Sequence, residues 1–206
     1  GLFINSPKFL EELGRNMQEW NVKPEIEAFD PGMIANAAYY LKKGVLKAPL
    51  HFQFCMGCAN GIPGTMKNLV FMKETMESLC PGSTWSCFGV GHCALEMLYG
   101  AVALGGHIRV GMEDNVVYGR NPDGTKIMAT NLMLVQRAAN AVKAFGNEVA
   151  TPAEAREMLG LKPLDHEAVC AALDAVKVED LEKAKQGVKD EFGGPYFAAA
   201  GMGAKK

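Results

Sequence analysis

Arg109-Val110-Gly111-Met112-Glu113-Asp114-Asn115 sets an arginine and two adjacent carboxylates at the C-terminal end of what reads as a buried parallel strand. That end of a strand is where α/β enzymes carry their chemistry. Two neighbouring carboxylates repel, so keeping both ionised requires a cation or a metal close by. Strand alternation puts Arg109 on the same face as Glu113, and an unpaired charge in mid-strand would be costly. Arg109 is therefore expected to be paired with them. The plain alternative is a solvated loop that follows an ordinary strand.

Other candidate groups are sparser. Glu25 and Glu27 share one face of an earlier strand, and burial there would raise the pKa of at least one, making it a proton donor or acceptor. Gly89-Val90-Gly91-His92-Cys93-Ala94 matches the G-x-G-x-x-A dinucleotide pattern between a strand and a helix, with Glu113 as a plausible ribose-binding acid. This makes a nicotinamide oxidoreductase a rival reading. Against it, two βα units precede the motif, whereas the fingerprint opens its domain, and the glycine pair can equally serve a tight turn. Gly57 to Thr65 is a glycine-rich loop without the Lys-Ser/Thr of a phosphate loop. Cys55-x-x-Cys58 lacks a second close pair, so the six cysteines read as reduced structural thiols.

The elements that must position these residues follow from periodicity. Strands are predicted over Pro24 to Phe29, Leu50 to Met56, Thr84 to Val90 and Gly106 to Met112. Helices are predicted near Ser6 to Trp20, Pro31 to Lys43, Thr65 to Leu79 and His92 to Leu104, long enough for right-handed crossovers between parallel strands. One strand face carries Ile26, Ala28, Phe52, Phe54, Met56, Trp85, Cys87, Ile108, Val110 and Met112. The other carries Glu25, Glu27, His51, Gln53, Cys55, Thr84, Ser86, His107, Arg109 and Glu113. Parallel sheets covered by helices on both sides are apolar on both faces. A shared polar face instead favours a closed barrel whose lumen converges on a ligand or metal. Beyond Met112, a loop carries the turn signal Asn121-Pro122-Asp123-Gly124, a helix spans about Ala129 to Phe145, and Thr151-Pro152-Ala153-Glu154 starts another. Asp165 to Lys189 reads as charged, solvated helix, and Gly193 to Lys206 as a mobile or subunit-docked tail.

At 206 residues and 49% hydrophobic, the chain suits one domain or one and a half. A net charge of −2 without a basic stripe argues against nucleic acid and against an anionic membrane surface. No apolar run approaches a membrane span and Gly1 to Asn5 is too short for a signal-peptide core, so a cytoplasmic location is expected. The chain starts without methionine, and Gly1 to Asn5 looks like the end of a strand, so a missing N-terminal portion is also expected.

Pro24-Glu25-Ile26-Glu27-Ala28-Phe29-Asp30, Gly105-Gly106-His107-Ile108-Arg109-Val110-Gly111-Met112-Glu113-Asp114-Asn115, Ala129-Thr130-Asn131 and Val149-Ala150-Thr151-Pro152-Ala153-Glu154-Ala155-Arg156 together resemble the β-keto acid cleavage enzyme family. The similarity runs from about Ile4 to Leu161. It implies a (β/α)8 TIM barrel, of which this chain resembles strands five to eight, with residues 162–206 a helical and Gly/Ala-rich extension. It implies a zinc enzyme of the kind met in lysine fermentation, converting a β-keto acid and acetyl-CoA into acetoacetate and a new CoA thioester. By motif position, Glu113 is the zinc-ligand glutamate, and Arg109 and Asp114 form the pair assigned to orientation and proton transfer. Glu27 is a lesser catalytic candidate in the lumen. The family's His-x-His zinc pair has no counterpart here, and neither His51, His92, His107 nor His166 replaces it. Arg109 is expected to lower the pKa of Asp114. A metal-binding or assembly subunit of the same fold, without turnover, is the non-enzymatic alternative. Homo-oligomerisation is expected, because a half barrel has open strand edges.

Overall fold

The computed structural model describes residues 4–163 and 165–177, with residue 179. Four parallel strands form one sheet in the consecutive order β1 (Glu25–Ala28), β2 (His51–Met56), β3 (Thr84–Gly89) and β4 (His107–Ile108). Between them run α2 (Pro31–Lys42), α3 (Met66–Leu79) and α4 (Ala94–Ala103), preceded by α1 (Pro7–Glu19). Consecutive order is the arrangement of a barrel wall, whereas a doubly wound sheet reverses direction at a switch point. Residues up to Leu161 form one compact unit, and α7 (His166–Asp174) belongs to another.

Alternation fixes which side the helices cover. Ala28, Phe52, Phe54, Met56, Trp85 and Cys87 point into a core completed by Ile34 and Ala37 of α2, Leu69, Met72 and Met76 of α3, and Met97 and Ala101 of α4. Phe54 stacks on Trp85 with ring centroids 5.2 Å apart. Burying each such phenylalanine contributes roughly 1.5–3 kcal/mol. Gly106 is required here, because a Cβ would lie 2.5 Å from the Trp85 ring. The helices start where the sequence provides caps: the side chains of Ser6, Asp30 and Thr65 accept from the amides of Phe9, Met33 and Asn68.

Register lines up the opposite face in two polar rows. Glu25, His51 and Thr84 are paired across the sheet at the strand starts, and Glu27, Gln53, Ser86 and His107 one step further along. Glu25, His51, Gln53, Ser86 and His107 of these rows border a cavity of about 320 Å3, lined also by Ala150, Ala155, Met158 and Leu159. The last three belong to or adjoin α6 (Pro152–Met158), which opens on a capping box between Thr151 and Glu154.

Several expectations are corrected. The fourth strand is two residues long rather than seven, so Arg109 follows it instead of sitting in mid-strand; only its amide continues the ladder, donating to Cys87 O at 3.2 Å. Met112 is exposed and does not face the helices. The segment after Glu113 contains a hairpin, β5 (Val117–Arg120) with β6 (Lys126–Met128), where the sequence suggested only a loop. Glu25 and Glu27 are about half exposed, 49% and 47% by side chain, so the burial argued for them is not met. The expected helix at 129–145 is α5 (Asn131–Ala144). The expected tail at 193–206 and, from the charged helix at 165–189, residues 178 and 180–189 fall outside the described residues. Among the described residues, no helix is long and apolar enough to cross a membrane.

Candidate active site

Arg109 organises the site. Leaving β4, its guanidinium lies over the Phe88 ring at 4.3 Å and reaches three carboxylates. Nη1 donates to Glu27 Oε1 at 3.3 Å, and Nη2 to Glu113 Oε2 at 2.9 Å and Asp114 Oδ1 at 3.3 Å. The pairing expected for Arg109 is thus present, and it gains Glu27 from β1, 82 residues earlier. The three partners differ in solvation: Glu113 is 82% exposed by side chain and Asp114 only 9%. One guanidinium against three carboxylates leaves the cluster with surplus negative charge.

Burial dominates the titration of Asp114. Removal from water raises its carboxyl above the ordinary aspartate value, Arg109 opposes this, and Glu113 and Glu27 add to it. The net direction is therefore upward, opposite to the lowering expected from Arg109 alone. A raised aspartate is a stronger base than an ordinary one and better suited to carrying a proton. Its Oδ2 is buried with no hydrogen-bond partner among the described residues.

The backbone that carries these groups is tied on three sides. Asp114 N and Asn115 N both donate to Gly111 O, closing a turn directly after Val110. Asn131, at the start of α5, accepts from Met112 N at 2.9 Å. Asp114 O accepts from Gly91 N at 2.9 Å, which joins the turn to the segment after β3. That last bond bears on the G-x-G-x-x-A motif: the Gly91 amide is occupied, and a Cβ at Gly89 would lie 2.7 Å from Cys93 O. Gly89 serves strand-to-helix packing, and Gly91 adopts the positive φ of the turn, +61°. The Gly57–Thr65 loop behaves alike, its Gly57, Gly61 and Thr65 amides bonded to carbonyls within it and its Ile62 amide to Phe29 O.

On the sheet's polar face, His51 Nδ1 and Thr84 Oγ1 are 2.8 Å apart, and its Nε2 lies 3.4 Å from Ser86 Oγ and 3.5 Å from Glu25 Oε2. Serine and glutamate meet the same ring nitrogen, which is not the relay arrangement of a hydrolytic triad. Burial and the neighbouring His107 and Lys23 push the His51 pKa down to about 4, so near neutral pH the ring is uncharged and its contact with Glu25 is not an ion pair. All six cysteines that the sequence offers are free thiols, and burial pushes Cys55 and Cys58 upward. Cys55-x-x-Cys58 therefore lacks the low pKa of a redox pair.

Arg137, on α5, escaped sequence reasoning. It stacks on the Tyr118 ring at 3.5 Å and donates from Nη2 to Tyr118 O at 2.7 Å. Its signal was a charge within the helix seam of Leu134, Ala138 and Ala141.

Among the described residues, no group of three His, Cys, Asp or Glu is placed to hold a metal ion. Glu113 offers one exposed carboxylate, and a structural or catalytic zinc site takes about three or four protein ligands. The residues present do not make a zinc site by themselves.

The carboxylate cluster organised by Arg109 stands where the chain leaves a parallel α/β sheet, the place where α/β enzymes carry their chemistry. The beta-keto acid cleavage enzyme family model matches residues 1–161, and the chain belongs to that family. It is 41% identical over 161 residues to 3-keto-5-aminohexanoate cleavage enzyme of Fusobacterium nucleatum, covering 78% of this chain and 56% of that protein. It is 37% identical over 164 residues to 3-oxoadipate:acetyl-CoA acetyltransferase of Cupriavidus necator, covering 80% and 56%. Among solved structures, the binary complex of ObcA with oxaloacetate superposes with a TM-score of 0.66 at 19% identity, over 77% of this chain and 42% of the other, a likeness of fold. The chain spans about half the length of the curated relatives it matches.

Proposed function

We propose that this chain carries the proton-transfer half of a β-keto acid cleavage site that converts a β-keto acid and acetyl-CoA into acetoacetate and a new CoA thioester. The supporting observation is the Arg109 cluster: an aspartate of raised pKa whose side chain is largely covered, held at one oxygen by a guanidinium that also holds Glu27 and Glu113. Relatives named for cleavage of 3-keto-5-aminohexanoate and for acetyl transfer between 3-oxoadipate and acetyl-CoA support the reaction class.

In this reading Asp114 removes the proton between the keto and carboxylate groups of the substrate, where carbonyl neighbours already acidify it. Arg109 keeps the Asp114 carboxylate turned toward that carbon, and Glu27 braces the guanidinium from β1. The carbanion equivalent then forms a bond to the acetyl carbonyl of acetyl-CoA. The acetyl–sulfur bond breaks, the freed CoA thiolate adds to the substrate's keto carbon, the bond between that carbon and the α-carbon breaks, and the acetoacetate carbanion that leaves takes back the proton held by Asp114. Acetyl carbons thus end in acetoacetate, and the keto carbon of the substrate ends in the thioester. Holding reactants in this geometry, with a positioned base, supplies the rate enhancement.

Zinc belongs to the proposal through Glu113 alone. The surplus negative charge of the cluster suits a divalent cation, and the remaining ligands would come from the part of the relatives' length that this chain does not span. A completed barrel would also cover the free edges of β1 and β4, each of which has one strand neighbour among the described residues. A second copy of the chain could cover them as well, and a cytoplasmic homo-oligomer is the expected setting.

The test is acetoacetate formation by the full-length protein, supplied with zinc, acetyl-CoA and a panel of β-keto acids. Turnover of at least one acid, lost in Asp114→Asn, is expected. No acetoacetate from any acid refutes the proposal and leaves the non-catalytic metal-binding or assembly reading.

A further inference from the structure

Asp114 and Arg137 share an unexplained feature. Asp114 Oδ2 and Arg137 Nη1 are both buried side-chain atoms without a hydrogen-bond partner among the described residues. Leaving either so costs about 1–3 kcal/mol, more for charged groups, so native proteins satisfy such atoms with protein or ordered water. The two atoms are complementary, an acceptor carrying negative charge and a donor carrying positive charge. Both residues line one small cavity of about 30 Å3, together with Arg109, Asn115, Ala94 and Leu98.

That volume exceeds the roughly 10–15 Å3 that one water needs by the same measure. Arg137 cannot swing freely to find another acceptor, because its Nη2 is committed to Tyr118 O and its plane to the Tyr118 ring. Arg109, for its part, engages Oδ1 of Asp114 and leaves Oδ2 over.

We propose that Arg137 is a positioning residue for Asp114, its Nη1 serving Oδ2 through a single water held in this cavity. The aspartate is then gripped at both oxygens, one by each arginine, and its carboxylate plane is fixed. Charged and titratable groups around Asp114 are Arg109, Glu113, Glu27, Cys58 and, through the water, Arg137. Arg137 also ties the hairpin to α5 through Tyr118, so the turn that carries Asp114 and the helix behind it move as one piece. The kinetic consequence rests on the proposed reaction; the water and its two partners do not.

Two measurements on the full-length protein test this. In a crystal structure detailed enough to show ordered solvent, a water bonded to both Arg137 Nη1 and Asp114 Oδ2, or a direct bond between them, is expected. Arg137 turned away, or Oδ2 bonded to a different group, overturns the proposal. In kinetics, Arg137→Met is expected to lower kcat by about 10-fold or more with KM changed by less than about 2-fold, the pattern of a lost transition-state interaction. Arg137→Lys is expected to lie between Arg137→Met and the parent. Tyr118→Ala removes the stacked ring but keeps the carbonyl that holds Nη2, and is expected to lower stability with a fall of kcat clearly smaller than that of Arg137→Met. An equal fall of kcat in Tyr118→Ala and Arg137→Met means a merely structural role and overturns the proposal. Should Arg137→Met not fold, Arg137→Lys decides alone, an unchanged kcat overturning the proposal. A parent protein without turnover refutes the reaction, while the crystallographic outcome still decides the role of Arg137.

Discussion

Acidification should destabilise this fold through one side chain, His51. The ring is buried at the start of β2, and its pKa is pushed down from 6.5 to about 4. The unfolded chain therefore binds a proton at this site more readily than the folded one wherever pH lies between those values. Stability is fully present above the unfolded pKa, begins to fall below about pH 6.5, and goes on falling until pH reaches the folded value near 4. Each pKa unit corresponds to 1.36 kcal/mol, so the full effect is about 3 kcal/mol, of which about 2 kcal/mol is lost by about pH 5. His51→Gln keeps a polar group able to meet Thr84 but cannot titrate. Urea unfolding of the parent and the variant at about pH 7.5 and about pH 5 isolates the histidine, since all other groups titrate alike in both. The parent is expected to lose about 2 kcal/mol more than the variant over that interval. Equal losses would refute the reasoning, because they would mean that His51 is solvated or stabilised as the cation by Glu25, 3.5 Å away.

Phe54→Ala removes a fully buried ring stacked on Trp85, and a loss of about 3–5 kcal/mol in denaturant unfolding is expected. Asn131→Ala deletes the acceptor for the Met112 amide; because that amide is reachable by water, stability is expected to fall by only about 0.5–1.5 kcal/mol, while the loosened turn lowers kcat far more than KM. Thr151→Ala breaks the capping box of α6 and is expected to cost about 1 kcal/mol, read as a shift of the denaturation midpoint without a change of slope.

The sheet and its two faces were legible because the first residues of β2 and β3 alternate, His51, Gln53, Thr84 and Ser86 on one side against Phe52, Phe54 and Trp85 on the other, a pattern of period two that leaves little choice of register. The cluster was half legible: Arg109, Glu113 and Asp114 lie within six residues, so their proximity follows from the sequence. Glu27 arrives from another strand, and its contact depends on the register of three strand pairs. The length of β4 was misread because His107, Arg109 and Glu113 alternate like a strand although the chain leaves the sheet at Arg109. The hairpin was missed although Asn121-Pro122-Asp123-Gly124 is a turn signal, since Val117–Arg120 and Lys126–Met128 are too short to show a periodicity. The direction of the Asp114 shift depends on how deeply its carboxylate is buried, which no spacing reveals.

Carbon tracing is the most direct test of the central claim. The full-length protein is given acetyl-CoA labelled in the acetyl carbonyl, together with a β-keto acid that it turns over, and the products are read by 13C NMR. The label is expected at the keto carbon of acetoacetate and absent from the new CoA thioester, with both products abolished in Asp114→Asn. Unlabelled acetoacetate, label in the thioester, or full activity in Asp114→Asn would contradict the account.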